Sequence, residues 1–320
     1  MNAIVPTLLA LISPGGHIMS TIECYSEVRA FIRDRMRKMG IRSTFIDIDE
    51  DMESSLKDVL DQNNDVTLFY ADSLTNPMLN VGVMKSEPRD TEQKKGKKGD
   101  TLEDGPQGDP PTLKCLDIRR IVQLHHQKGV LVCIDSTLAS PINQKPLTLG
   151  VDLVLHSATK YMAGHHDVIV GCNAAYMIIR GLKMMALRVE ASNRTALLMA
   201  HLLEAHPKID RVHYPGLESS PWHHLAKTHR AGYGGVVSFE VKADLHGTMR
   251  FIDALEIPFI ATSLGGCESL VQQPAVMSFW GHTDEDKANN GISNNFVRFS
   301  FGIEKFEDLR DDILQALDRI

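Results

Sequence analysis

Two residues that could hold and activate a carbonyl cofactor lie at the ends of neighbouring apolar runs. Asp135 follows residues 131–134, whose pattern predicts a buried parallel strand, and Lys160 follows a second apolar run at 151–156. Open α/β sheets bind ligands beyond the carboxyl ends of their strands, so we expect both side chains to face one crevice. A carboxylate can keep a pyridine nitrogen protonated, and a lysine amine can form a Schiff base. The pair therefore indicates pyridoxal phosphate chemistry.

Hydroxyl side chains accompany both residues. Thr137 comes just after Asp135. Ser157 and Thr159 shortly precede Lys160, and their hydroxyls have the chemistry to bind a phosphate. Taken singly, an aspartate after a strand is usually a helix cap or turn former, and a loop lysine is usually solvated. The joint pattern is what favours a cofactor site.

The rest of the chain must supply the sheet that positions these side chains. Alternating patterns of strand and helix predict a βαβ arrangement and hence an α/β fold. The predicted strands are 17–23, 43–48, 66–70, 131–134, 151–156 and 236–241, and the predicted helices are 27–38, Met52–Gln62, 115–126 and 173–205.

Composition limits the class of protein. The chain has 320 residues, 43% of them hydrophobic, enough for a large core and two domains. A net charge of −7 argues against a nucleic-acid partner. No apolar run approaches the roughly 20 residues that span a bilayer, and the first residues lack the charged start of a secretory signal, so no membrane association is predicted.

The cysteine and histidine patterns predict neither disulfides nor a metal site. Five cysteines are widely spaced and mostly lie within apolar runs, which favours buried thiols in a reducing compartment. Three pairs of adjacent histidines occur, but adjacent residues point to different helical faces, and no cysteine or carboxylate joins them at ligand spacing. The pairs are His125–His126, His165–His166 and His223–His224.

Residues 80–112 interrupt these patterns with a segment rich in Lys, Gly, Asp and Pro. It offers too few apolar side chains to fold, so a solvated, disordered insertion is predicted. The basic run within it could act as a binding patch or localisation signal, but adjacent acidic residues nearly cancel its charge.

Deleting residues 80–112 is therefore expected to leave the melting temperature unchanged or higher. The composition of the segment supplies too few apolar side chains for a core, so its removal should cost no packing. Thermal unfolding of the deletion variant measures this, and a clear drop in melting temperature would mean that the segment packs against the protein.

Several longer phrases resemble the Cys/Met-metabolism family of pyridoxal phosphate enzymes. They include HSATKYMAGHHDV (156–168), CIDSTLASP (133–141), ADSLTNP (71–77), SLGGCESLVQQPAVMS (263–278) and FVRFSFGIEKFEDLRDDILQAL (296–317). The resemblance implies an α/β fold, namely fold type I of the pyridoxal phosphate-dependent transferases, similar to aspartate aminotransferase. It implies a large cofactor domain, 1–207, and a smaller C-terminal α+β domain, 208–320.

The resemblance also implies roles toward the cofactor, pyridoxal 5'-phosphate. Lys160 would bind it covalently and act in catalysis, and Asp135 would pair with its pyridinium nitrogen. Ser157 and Thr159 would bind its phosphate, and Asn76 would bond its 3-oxygen.

Four further residues receive roles in the same way. Thr137 would support the cofactor on the side of its 3-oxygen. Tyr25 would stack on the cofactor ring and assist catalysis. Arg298 would clamp the substrate α-carboxylate through the planar, bidentate geometry of a guanidinium, and Ser263 would add a contact to the substrate.

Within the family, the phrases are most similar to plant-type cystathionine γ-synthases. This implies replacement of the γ-substituent of an activated homoserine ester, O-phosphohomoserine, by cysteine to give cystathionine in methionine biosynthesis. It also implies small amino-acid substrates, a homo-oligomer (a tetramer of dimers) and a chloroplast location. Because the sequence carries no transit peptide, the other expected location is the cytoplasm.

Two alternatives stay open at this stage. A methionine γ-lyase or cystathionine lyase of the same family would share the residues named above. A non-catalytic relic, or a subunit of a hetero-oligomer, is the other alternative, because the sequence departs from the family in two places. Family members have a phosphate-binding loop and an intersubunit arm upstream of Leu8, and a further segment between Cys172 and Asn173. Both departures predict weak cofactor binding for this chain expressed alone.

Overall fold

Two five-stranded sheets organise the part of the chain that the structure describes. The structure is a computed structural model and describes residues 3–47, 52–73, 115–166, 174–281, 283, 287 and 292–320. The first sheet comprises β1 (His17–Thr21), β2 (Arg42–Ile46), β3 (Val66–Asp72), β4 (Leu131–Asp135) and β5 (Leu153–Leu155).

The first sheet is parallel throughout, in the order β2-β1-β3-β4-β5. Parallel strands need crossover connections, and helices supply them where the chain is described. The connecting helices are α2 (Ser26–Ala30) with a π-helical continuation (Phe31–Met36), α3 (Met52–Gln62), α4 (Ile118–His126) and α5 (Ser140–Asn143), and α1 (Ile4–Leu11) precedes the first strand. Because the strands are parallel, their carboxyl ends lie at one edge of the sheet.

Both faces of this sheet are covered by apolar side chains, which explains the nearly continuous apolar sequences of its central strands. Along β3, Leu68 and Tyr70 point into a cluster with α1 and α2, while Phe69 and Ala71 point into a cluster with α3 and α4. Alternate residues of a strand face opposite sides, so β3 must be apolar at successive positions.

The second sheet lies in the C-terminal half of the chain and has the order β6-β7-β10-β9-β8. Its pairings are antiparallel except that of β8 with β9. Its strands are β6 (Ile209–His213), β7 (Val236–Val241), β8 (Phe259–Ile260), β9 (Leu270–Gln272) and β10 (Phe296–Ser300). The helices of this half are α6 (Ala174–Lys183), α7 (Met185–Glu204), α8 (His223–His229), α9 (Leu245–Asp253) and α10 (Phe306–Asp318).

The segment predicted to be helical, 173–205, is helical but divided into two separate helices, α6 and α7. Met184, with φ −109° and ψ 2°, lies between them. Gly181 packs so closely on the turn after Lys160 that a Cβ there would lie 2.4 Å from the Ala163 carbonyl oxygen. Arg188 also donates to the Gly181 carbonyl oxygen at 2.9 Å. Tertiary contacts therefore break a sequence that favours a continuous helix.

The other predicted elements are present, α3 and β7 with the predicted bounds and the rest with shifted ends. The predicted helix over 115–126 begins at Ile118 because the Asp117 side chain caps it, accepting a hydrogen bond from the Arg120 backbone N–H at 3.1 Å. The strands predicted at 17–23 and 151–156 are shorter, and the strand predicted at 66–70 extends to Asp72. The insertion predicted at 80–112 lies outside the described residues.

Four of the five cysteines are described, and each is a free thiol. Cys24, Cys115 and Cys133 are buried, as expected, and Cys267 is partly exposed. Cys172 lies outside the described residues.

Candidate active site

The carboxyl edge of the parallel sheet brings together polar residues from the ends of its central strands. Asp72, the last residue of β3, is paired in register with Asp135, the last residue of β4. Ser73, which follows Asp72, donates its backbone N–H to the Asp135 carbonyl oxygen at 2.8 Å. The strand register therefore places two carboxyl groups side by side at the predicted ligand-binding edge.

The Asp135 carboxylate is oriented mainly by Thr137. Oδ1 accepts hydrogen bonds from the Thr137 backbone N–H, at 2.9 Å, and from the Thr137 hydroxyl. Within the described part of the chain, the hydrogen-bond contact of Oδ2 is a long one, 3.5 Å, with the Tyr70 hydroxyl. Burial raises the pKa of Asp135, and the two bonds from Thr137 act in the opposite direction. One carboxylate oxygen is thus fixed, while the other keeps capacity to accept a strong donor.

Lys160 lies in a π-helical turn, Ala158–Met162, that follows β5. Its backbone departs from helical geometry, with φ −84° and ψ −129°. The turn is closed by a hydrogen bond of 2.7 Å from the Gly164 backbone N–H to the Lys160 carbonyl oxygen, and Gly164 has φ +80°. A positive φ is readily adopted by glycine, so this position lets the chain reverse directly after the lysine.

The Lys160 amine is held near the second sheet. Nζ donates to the Ser263 hydroxyl oxygen at 2.9 Å. Burial, assisted by the positive charge of Arg298, lowers the pKa of Lys160 from 10.5 to about 8. An amine with that pKa is roughly a tenth neutral at pH 7, far more than an exposed lysine. Lys160 can therefore act as a nucleophile or base near neutral pH.

Ser263 and Arg298 come from the C-terminal half of the chain. Ser263 has φ +75°, which is uncommon for a residue with a side chain and is a form of strain that collects at functional sites. Arg298 lies in the middle of β10, opposite Ser238 on β7 and Gln272 on β9. It is 2% exposed, and burial lowers its pKa to about 10, so it stays a cation at neutral pH.

Further bonds join the two halves of the chain around Lys160. The Gly235 backbone N–H donates to the Tyr161 hydroxyl oxygen at 3.1 Å. The Cys267 backbone N–H donates to the Gly164 carbonyl oxygen at 2.8 Å. These contacts flank the lysine turn, so its position depends on residues more than 70 positions away in the sequence.

The other predicted site residues are placed less completely. Ser157 and Thr159 shortly precede Lys160 and are partly buried. The Ser157 backbone N–H donates to the Thr137 hydroxyl oxygen at 2.7 Å. Since that hydroxyl also bonds Asp135, Thr137 joins the lysine turn to the carboxylate. Tyr25 precedes α2 and donates its backbone N–H to Asp72 Oδ2 at 3.1 Å. Asn76 lies outside the described residues.

Neither Asp72 nor Tyr70 was predicted from the sequence as a site residue. Asp72 is 7% exposed, and Tyr70 is fully buried with its hydroxyl 3.4 Å from Asp72 Oδ1. An available signal was the strand prediction itself, because the residue that ends β3 must lie beside the residue that ends β4. The predicted strand stopped at residue 70, two residues too early.

The side chains present fit pyridoxal phosphate. Its aldehyde requires an amine that can lose its proton, which the buried Lys160 provides. Its ring nitrogen requires an acidic partner, and Asp135 Oδ2 has acceptor capacity left. Within the described ranges, no group of three or more His, Cys, Asp or Glu side chains could hold a metal ion. No helix in those ranges is long and apolar enough to span a membrane.

The sequence matches the family model described as Cys/Met metabolism PLP-dependent enzyme. The matched residues are 1–86, 108–174 and 172–318. Residues 87–107, inside the predicted insertion, fall outside the match. Two of the matched ranges meet at 172–174, where the sequence departs from the family pattern.

Curated relatives and a solved structure are similar over the whole chain. Cystathionine gamma-synthase 1, chloroplastic, of Nicotiana tabacum is 47% identical over 100% of this chain and 57% of its own length. The Arabidopsis thaliana protein of the same name is 43% identical over 100% of this chain and 54% of its own length. The crystal structure of metB from Corynebacterium glutamicum superimposes with a TM-score of 0.81 at 26% identity, covering 100% of this chain and 79% of that one.

The chain thus spans little more than half the length of those two plant relatives. Proteins named as lyases are also similar. Cystathionine beta-lyase of Coxiella burnetii is 32% identical over 98% of this chain and 79% of its own length.

Proposed function

Because this chain belongs to the Cys/Met metabolism family of pyridoxal phosphate-dependent enzymes, we propose that it carries the catalytic site of a cystathionine γ-synthase. The proposed reaction replaces the γ-substituent of O-phosphohomoserine by the sulfur of cysteine and releases cystathionine. The observation that carries this proposal is the Lys160 amine, which donates to the Ser263 hydroxyl and whose pKa is lowered by burial and by the charge of Arg298.

The cofactor, when bound, supplies an electron sink that stabilises negative charge at the substrate carbons next to the amino group. The residues must then bind it, orient the substrate and move protons. Lys160 would hold the cofactor covalently at rest, and its amine would be the group that moves protons when substrate is present. As a neutral amine it removes a proton from the substrate, and as an ammonium it returns one.

Arg298 binds the substrate carboxylate. A buried guanidinium is a permanent cation at neutral pH and presents two parallel donors, which fix the orientation of a carboxylate. Its charge also favours the neutral form of Lys160. A bound carboxylate neutralises part of that charge, so substrate binding and the proton affinity of Lys160 are coupled. Ser263 keeps the amine directed into the site.

The remaining residues orient the cofactor. Asp135, whose carboxylate is fixed by Thr137, would keep the ring nitrogen protonated. Thr137 would contact the side of the 3-oxygen, and Ser157 and Thr159 would bind the phosphate. Tyr25 would stack on the ring, and Asn76 would bond the 3-oxygen.

The proposal extends to organisation and location. Residues 1–207 form the cofactor domain and residues 208–320 the smaller domain, and copies assemble into a homotetramer made of dimers. The plant relatives named as chloroplastic support a plastid location. The predicted weak binding of cofactor by this chain alone also stays a prediction.

Borohydride reduction of the protein with pyridoxal phosphate is expected to attach the cofactor to Lys160. This lysine has a pKa lowered to about 8, which favours the neutral amine that forms the reducible bond. Peptide mapping by mass spectrometry measures the site. Cofactor on another lysine, or on none in a folded protein, would contradict the assignment.

The reaction is tested with O-phosphohomoserine and cysteine. Formation of cystathionine supports the synthase, and the identity of 47% with a named synthase against 32% with a named lyase favours that outcome. Release of a 2-oxo acid from cystathionine or methionine would instead support a lyase. Attachment of the cofactor without either product would support the non-catalytic alternative.

A further inference from the structure

The acid pair, Asp72 and Asp135, is joined by a single hydroxyl. Tyr70 Oη lies 3.4 Å from Asp72 Oδ1 and 3.5 Å from Asp135 Oδ2. Asp72 and Tyr70 are both buried, and the pairing of β3 with β4 fixes the two carboxyl groups side by side. Two negative charges at this spacing in a buried site repel each other, so one of the pair holds a proton.

The hydrogen bonds around the pair decide which acid keeps the proton. Asp135 accepts two bonds from Thr137, which stabilise its ionised form. Among the described residues, Asp72 accepts a single backbone bond, from Tyr25, at Oδ2. Burial and the neighbouring Asp135 raise the pKa of Asp72 well above its ordinary value of 3.8. The proton therefore belongs on Asp72, whose Oδ1 faces the Tyr70 oxygen.

The surrounding titratable groups do not change this assignment. Burial raises the pKa of the Cys24 and Cys133 thiols to about 12, so both are neutral at physiological pH. Burial also lowers the pKa of His156, beside Asp135, which favours its neutral form. The Arg29 guanidinium interacts electrostatically with Cys24 and donates to the Ile22 carbonyl oxygen at 3.0 Å. The negative charge of the cluster is thus carried by the acid pair.

We propose that Asp72 is a positioning residue for the cofactor: it keeps its proton, donates it to the Tyr70 oxygen, and so directs the Tyr70 hydroxyl hydrogen toward Asp135. Asp135 then has donors on both oxygens and carries the single negative charge of the pair at the edge of the sheet. The same Asp72 carboxyl group accepts the Tyr25 backbone N–H. It therefore contacts one residue assigned to the cofactor, Tyr25, and acts through Tyr70 on another, Asp135. The inference rests on the proposed function only in taking Asp135 as the partner of the ring nitrogen.

An asparagine at position 72 is a neutral isostere of the protonated acid, because its amide can donate to Tyr70 and accept from Tyr25. Asp72→Asn is therefore expected to keep the dissociation constant for pyridoxal phosphate, measured by absorbance titration, within about threefold of the starting protein. Tyr70→Phe removes the bond to Asp135 and is expected to weaken binding roughly tenfold. Loss of affinity in Asp72→Asn as large as that in Tyr70→Phe would overturn the proposal, as would failure of Asp72→Asn to fold.

A second measurement does not involve the cofactor. An acid whose pKa is raised by folding lowers the stability of the folded state as pH rises above the unfolded value, here near 3.8. Asp72→Asn removes this effect, so the variant should gain stability relative to the starting protein between pH 4 and pH 7. The unfolding constants should diverge by up to roughly tenfold per pH unit. Parallel pH profiles, or a variant that becomes relatively less stable, would overturn the proposal.

Asp152→Asn is the matched control, for which the expected change in stability with pH is in the opposite direction. Burial alone would raise the pKa of Asp152, but bonds from the Val132 backbone and His126 lower it overall. That variant should lose stability above pH 4 and match the starting protein at lower pH. The stability measurements need no cofactor, so they test the inference about Asp72 independently of the proposed function. The proposed function is tested separately by the borohydride mapping.

Discussion

Replacing Lys160 with alanine is expected to abolish cystathionine formation and reducible attachment of the cofactor. The variant keeps the hydroxyls and Asp135 but lacks the only group assigned both covalent binding and proton transfer. Positioned acids and bases alone contribute roughly 10²- to 10⁴-fold, so turnover should fall at least a thousandfold. Steady-state assay and borohydride trapping measure the two losses.

The control for this variant is Lys128→Ala. Lys128 is exposed and pairs with Asp61 at 2.7 Å, so its removal should leave activity and trapping unchanged. Both variants should melt close to the starting protein, because removing a buried amine also removes its desolvation cost. Substantial turnover in Lys160→Ala would contradict the mechanism proposed for this residue.

Replacing Arg298 with lysine is expected to raise the KM for the homoserine ester roughly tenfold to a hundredfold. Lysine keeps the charge but loses the second parallel donor, and a hydrogen bond to a charged group contributes about 1.5 to 3 kcal/mol. The pKa of Lys160 should change little, because a cation remains beside it, so the pH dependence of kcat is expected to stay in place. Initial-rate kinetics at several pH values measure both parameters.

Arg211→Lys provides the comparison. Arg211 is exposed on β6 of the same sheet, and its replacement should not alter KM. An unchanged KM in Arg298→Lys, together with a lower melting temperature, would show that Arg298 only supports the core of the second sheet.

The sequence by itself determined the residue types and the strands that carry them. Apolar runs ending in Asp135 and before Lys160 predicted parallel strands, because only strands covered on both faces need to be apolar at successive positions. The strand ends then predicted where a ligand would bind. The resemblance of the longer phrases predicted the family, which the family match confirmed.

Only the tertiary structure decided how these residues meet. The bond from Lys160 to Ser263 crosses 103 positions of sequence, and the proximity of Arg298 to Lys160 depends on how β10 lies against the lysine turn. The break between α6 and α7 arises from the packing of Gly181 on that turn. Local pattern contains no information on such contacts.

The acid pair illustrates the same division. The sequence shows an aspartate at position 72 and another at position 135, but nothing in either local pattern says that they are neighbours. The register of β3 with β4 places Asp72 beside Asp135. Burial and the neighbouring carboxyl group then raise the proton affinity of Asp72. Sequence supplied the two carboxyl groups, and the fold decided which of them carries the charge, because charge repulsion and desolvation depend on positions in space.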